Sequence, residues 1–232
     1  MENLSASSSN NPTPMVAARS KDAAFIVSLT GLGETGENVL YTQAVLLMKA
    51  DGVSPEVITQ TNALLKSIFT ILKAEPDNKI AESRISETVA KQSSEMNEAQ
   101  RKAFAPVKTK IESQIIPIYL TAWFRYFIAY DPRPTLERVR VPVLALNREN
   151  DLHAASRVNL ELIAAGLKAG GNKDVTTIFF PKLNHLFQTN KTGRLTEYGE
   201  IEETISPTVL ETISNWILKR TIASKNKRRK PE

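Results

Sequence analysis

The chain has 232 residues, 41% of them hydrophobic and 24% charged, which is enough to bury one sizeable core and too apolar for a disordered chain. It has no cysteine and two histidines, which excludes disulfides and thiolate chemistry and leaves little to hold a metal, so neither a metal nor another cofactor is expected. The net charge of +5 is local: residues 219–232 carry seven basic groups and one acid, and the other 218 residues carry 23 basic and 24 acidic groups, a net of −1. The basicity is a tail and not a face. With no aromatic side chain among those charges it reads as a solvated terminus beyond the last helix, and nucleic acid is not among the expected partners.

No stretch reaches the ~18 apolar residues of a membrane span. Residues 1–14, MENLSASSSNNPTP, read as disordered or irregular, and they lack the basic and apolar regions of a signal peptide, so a cytoplasmic location is expected. Met15 to Ser20 reads as the end of a helix, and Ala23 to Thr30 (AAFIVSLT) as a buried parallel strand.

That strand runs into Gly31-Leu-Gly-Glu-Thr-Gly36, the spacing of a dinucleotide-binding loop, with Asp51 about 20 residues on. The loop needs a second strand ending at that acid. Here Val45-Leu-Leu-Met-Lys-Ala50 continues a helix instead, which leaves no seat for a ribose, so dinucleotide binding at Gly31–Gly36 stands as the lesser alternative.

Residues 38–128 read as helical almost throughout. Val39, Leu40, Ala44, Leu47 and Met48 recur at helical spacing, Ser54-Pro55-Glu56 is a helix start, and Val57 to Leu72 carries a second apolar face. After a polar stretch at 77–114, Ile115 to Tyr130 becomes apolar and aromatic. Trp123, Phe124, Tyr126 and Phe127 read first as packing, with a substrate-facing wall as the alternative. Asp131-Pro-Arg-Pro134 ends the helices.

The chemistry lies downstream. The apolar run Val141 to Asn147 reads as a strand and is followed by Arg-Glu-Asn-Asp, which puts Asp151 just past its end. A helix from about Ala154 to Ala169 stops at Gly170-Gly171. The run 174–180 reads as a strand stopped by Pro181, with His185 on the next loop. An acid and then a base, each on the loop after its own strand, is the second half of a Ser…Asp…His order. His153 reads as a surface or helix-start residue. Lys191 to Glu203 is an irregular polar excursion, and Ser206-Pro207 opens the last helix.

Together the strand at 23–30, the helical insertion, YFIAYDPRP, VPVLALNxExD, AGGNKD and LNHLFQ resemble bacterial α/β-hydrolase-fold esterases. In particular they are similar to the serine carboxylesterase-like branch, grouped with dienelactone-hydrolase and serine-aminopeptidase-like proteins. The resemblance spans about Met15 to Leu218 and corresponds to the C-terminal part of that family's domain. It implies an α/β fold: a partial α/β-hydrolase core at 15–37 and 129–218 with three parallel strands and flanking helices, a helical lid at 38–128, and a basic tail at 219–232. It matches Asp151 to the triad acid and His185 to the triad base of a serine hydrolase acting on carboxylic esters. The family's G-H-S-E-G-G nucleophile elbow, counted back from Met15 without gaps, falls on Ser5–Asn10 and places Ser7 at the nucleophile position, without the flanking glycines.

The strand preceding that elbow, and the rest of the family's N-terminal half, have no counterpart here. The resemblance therefore implies a small-molecule ester substrate and an open sheet edge suited to self-association or to a complementing N-terminal chain, and it leaves the activity of the chain alone open. A non-catalytic binding or assembly module is the alternative from another class.

Overall fold

The computed structural model describes residues 12–228. Among them the fold is mixed α/β with a three-stranded parallel sheet, and the chain divides into two compact units: Glu34–Asp131, and the residues up to Gly33 together with those from Pro132 on. In chain order the elements are α1 (Pro12–Ala17), β1 (Ile26–Leu29), α2 (Gly36–Ala50), α3 (Pro55–Ala74), α4 (Asn78–Ser94) and α5 (Glu98–Lys110). A π-helical turn (Ile111–Ile115), α6 (Ile116–Tyr119), α7 (Ala122–Ala129), α8 (Arg133–Leu136), β2 (Val143–Arg148) and α9 (Ser156–Ala169) follow. The last are β3 (Val175–Phe180), a 3-10 helix (Leu195–Glu200) and α10 (Pro207–Arg228).

The helical unit owes its punctuation to side-chain caps. Ser54 accepts from the Val57 N–H, Asp77 from the Lys79 and Ile80 N–H groups, and Asn97 and Gln100 form a reciprocal capping box. Its core is Leu64, Ile68, Phe69 and Leu72 of α3 with Ile85 and Val89 of α4 and Phe104 of α5. The Arg125 guanidinium closes α3 by donating to the carbonyls of Leu72 and Glu75. Phe124 and Phe127 are buried, Trp123 stacks on Phe127 with ring centroids 5.5 Å apart, and Tyr126 is exposed. Packing accounts for the first three rings.

In the other unit the strand order is β1-β2-β3. Ile26 pairs with Val143 at the start of one ladder, and Arg148 pairs with Phe180 at the end of the other. Every residue of β2 is buried, and the pleat sorts its side chains by parity. Val143 and Ala145 pack with Leu136, Leu160, Ile163 and Leu167 on one face. Leu144 and Leu146 pack with Phe180, Phe187, Val209 and Trp216 on the other. The same alternation sends Asn147 toward the start of α9, where it donates to the Ser156 carbonyl, and Arg148 to the opposite face, over the Phe187 ring. β1 hydrogen-bonds β2 along one edge, and among the described residues no strand pairs with its other edge.

Several boundaries differ from those expected. The irregular N-terminus predicted for 1–14 gives way to α1 at Pro12, because prolines in a first turn lack only N–H groups that a helix leaves unpaired; residues 1–11, Ser7 among them, lie outside the described residues. β1 is half the length of the run 23–30, since its ladder begins at Val143, beside Pro142, which has no N–H to extend it. The excursion at 191–203 contains an ordered 3-10 helix, tied down where the Glu197 carboxylate accepts from the Thr192 N–H and the Asn190 amide. The tail is not wholly a solvated terminus either: α10 continues through Arg228, and the Arg220 guanidinium pairs with Asp174 and lies 3.5 Å from the Trp216 ring centre. No helix among the described residues is long and apolar enough to cross a membrane.

Candidate active site

The loops after β2 and β3 are bound to one another before any side chain is considered. The Glu149 N–H donates to the Phe180 carbonyl at 2.9 Å and the Asn150 N–H to the Leu183 carbonyl at 3.0 Å, so the parallel ladder continues past the strand ends. This brings together Asp151 and His185, which are 34 residues apart in sequence: His185 Nδ1 stands 3.0 Å from Asp151 Oδ1.

The Asp151 carboxylate is wholly buried and fully engaged. Oδ1 accepts from the His153 N–H at 2.8 Å, and Oδ2 faces Arg148 Nη2 at 2.5 Å and accepts from Ser156 Oγ at 3.2 Å. Burial by itself would raise this carboxyl. The Arg148 charge, with the neighbouring His185 ring and the His153 N–H, outweighs it and holds the group at about 2. Burial pulls the Arg148 guanidinium down to about 10 while Asp151 and Tyr198 oppose that, so it remains a cation at neutral pH.

His185 rides on a turn that Asn184 builds. The Phe187 N–H donates to the Asn184 carbonyl and the Asn184 N–H to the Gln188 carbonyl, both at 2.9 Å. Asn184 Oδ1 accepts from the Leu186 and Gln188 N–H groups, both at 3.0 Å, and its amide donates to Gln188 Oε1 at 2.8 Å. Phe187 closes the turn at φ +60°, a left-handed conformation that a bulky residue adopts only when its surroundings enforce it. The His185 N–H donates to the Tyr198 hydroxyl at 3.2 Å, and burial raises the Tyr198 phenol.

The site therefore holds residues that the sequence reading passed over. Arg148, with no exposed surface, was visible only as a charge closing an apolar strand. Tyr198 lay in what looked like irregular chain, and Ser156 at a helix start. His153, expected at the surface or at a helix start, lies half-buried three residues before α9: its ring centroid is 4.5 Å from that of His185, and burial pushes it down to about 4. Ser7 lies outside the described residues, and the Ser156 hydroxyl is turned to the acid.

The glycine loop has a structural use. The Gly33 N–H donates to Asn159 Oδ1 at 2.7 Å, and a Cβ at Gly33 would lie 2.5 Å from Leu162 Cβ. Asp51 is the C-cap of α2 and is followed by α3, not by a strand. Among the described residues no group of three or more His, Asp or Glu is arranged to hold a metal ion.

A carboxylate that orients an imidazole can support acid–base catalysis at a reacting hydroxyl or water. No protein-family model matches the chain, and no curated protein and no solved structure matches it either.

Proposed function

We propose that the chain carries the acid and base of an acyl-transfer centre and acts on carboxylic esters, as the resemblance to α/β-hydrolase-fold serine esterases implies. The observation behind this reading is the 3.0 Å contact between His185 Nδ1 and a buried, ionised Asp151, delivered by loops after adjacent parallel strands. In the reactive form the proton lies on Nδ1 against Asp151, and Nε2 takes the proton of an attacking oxygen and returns it to the leaving group. The nucleophile is a serine hydroxyl, for which Ser7 is the candidate.

A second reading, a non-catalytic binding or assembly module, draws support from Arg148. A buried cation against Asp151 already neutralises the acid, so the pair has a structural reason to exist without catalysis. Hydrolysis of a short-chain nitrophenyl ester by the purified, folded chain separates the two. Slow turnover that disappears in His185→Ala supports the esterase; turnover indistinguishable from that of His185→Ala supports the module.

A further inference from the structure

His185 Nδ1 has two close neighbours that ask opposite things of it. Asp151 Oδ1, at 3.0 Å, can only accept, and Arg148 Nη2, at 2.6 Å, can only donate. A ring nitrogen has one in-plane position, filled by either a proton or a lone pair. With the proton on Nδ1, two N–H groups would confront each other across 2.6 Å. With the lone pair there, the same distance is that of a short, charge-assisted hydrogen bond from the guanidinium.

The setting favours the lone pair. Arg148 has no exposed surface, and its guanidinium carbon lies 4.5 Å from the centre of the Phe187 ring, within the turn that carries His185. It cannot swing into water as a surface arginine could. One Nη2 hydrogen serves Asp151 Oδ2, leaving the other for His185, so a single nitrogen bridges acid and base. Asp151, already paired with this cation and accepting from Ser156 Oγ and the His153 N–H, needs no imidazole proton to satisfy it. His153, which burial keeps neutral, lies beside the ring, and the Tyr198 hydroxyl, whose phenol stays protonated, accepts from the His185 backbone N–H.

The geometry points to Arg148 as a positioning residue that holds neutral His185 as its Nε2–H tautomer, so that the resting centre presents a donor where acyl transfer needs a base. The consequence for catalysis, though not the tautomer itself, rests on the esterase reading. The observed rate is scaled by the fraction of the Nδ1–H form, so the resting chain is a slow enzyme, and displacing Arg148 from the ring is what would switch it on.

The test is the imidazole ¹⁵N spectrum, which two histidines make simple to assign with His153→Gln. In the full chain near neutral pH, His185 is expected to show an unprotonated Nδ1 and a protonated Nε2. Arg148→Met should move the proton to Nδ1 and speed nitrophenyl ester hydrolysis on the order of 10²-fold. Arg148→Lys, whose single ammonium cannot reproduce the planar bridge, should give a mixture of tautomers. A protonated Nδ1 in the wild-type chain would overturn the assignment whether or not any variant folds. The expected tautomers in the wild type and in Arg148→Met, without hydrolysis in either, would leave Arg148's role standing and remove the esterase reading.

Discussion

Asp151 Oδ2 and Arg148 Nη2 lie 2.5 Å apart with no exposed surface on either side chain. Each supports the other's charge inside the protein, because an ion removed from water at this depth requires an opposite charge and filled hydrogen bonds. The acid of the candidate site is thus part of the fold's stability.

Asp151→Asn should leave Arg148 as an unpaired buried cation and cost about 3–5 kcal/mol in chemical denaturation at neutral pH. The pH dependence follows from the direction of the shift. Asp151 is held at about 2, below the ordinary carboxylate value, so its contribution is complete above about pH 4 and is lost as pH falls from there toward 2. The stability difference between wild type and Asp151→Asn should shrink across that window; a constant difference would mean that Asp151 is not preferentially ionised in the folded state.

His153 gives a second window with a different cause. Its imidazole is pushed down to about 4 from an ordinary value of 6.5, so the unfolded chain takes up the proton first. Stability is complete above about pH 6.5 and declines as pH falls to about 4. His153→Phe, which keeps the N–H that Asp151 accepts, should flatten that decline in urea titrations at pH 7 and 4.5, and NMR titration should find the His153 ring neutral at pH 5.

Asn184→Ala removes the acceptor for two backbone N–H groups in the turn that carries His185. A destabilisation of about 2–3 kcal/mol is expected, with faster amide exchange at Leu186 and Gln188. Unchanged exchange at those two amides would show that the turn is held by something other than the Asn184 side chain.

Gly33→Ala probes the glycine loop. The added methyl would meet Leu162 Cβ at 2.5 Å and, on the backbone, Asn159 O at 2.7 Å and Ile163 N at 2.9 Å, contacts that cannot relax by rotating a side chain. A loss of about 3 kcal/mol or more is expected from thermal melts. An Ala variant as stable as wild type would mean that this glycine is not there for packing against α9.

The strands and their order along the chain were legible because they are short runs of mainly β-branched and apolar residues stopped by Pro and Gly. Asp151 and His185 were legible because each directly follows such a strand. Arg148 was not, since nothing in a linear pattern tells whether a charge closing a strand turns outward or in. That follows from the parity of β2, which puts Arg148 on the side of Leu144 and Leu146, and from the Phe187 ring it meets there. Tyr198 was hidden for another reason: the chain around it is ordered by the Glu197 carboxylate binding loop groups rather than by apolar periodicity.

The proposed service of Asp151 and His185 to a nucleophilic hydroxyl is open to labelling of the purified, folded chain with a fluorophosphonate probe, mapped by mass spectrometry. A slow adduct on one serine is expected, with Ser7 the candidate, lost in His185→Ala and faster in Arg148→Met. Absence of any adduct in both the wild type and Arg148→Met, with each shown to be folded, would contradict it and leave the buried Arg148–Asp151–His185 cluster as architecture alone.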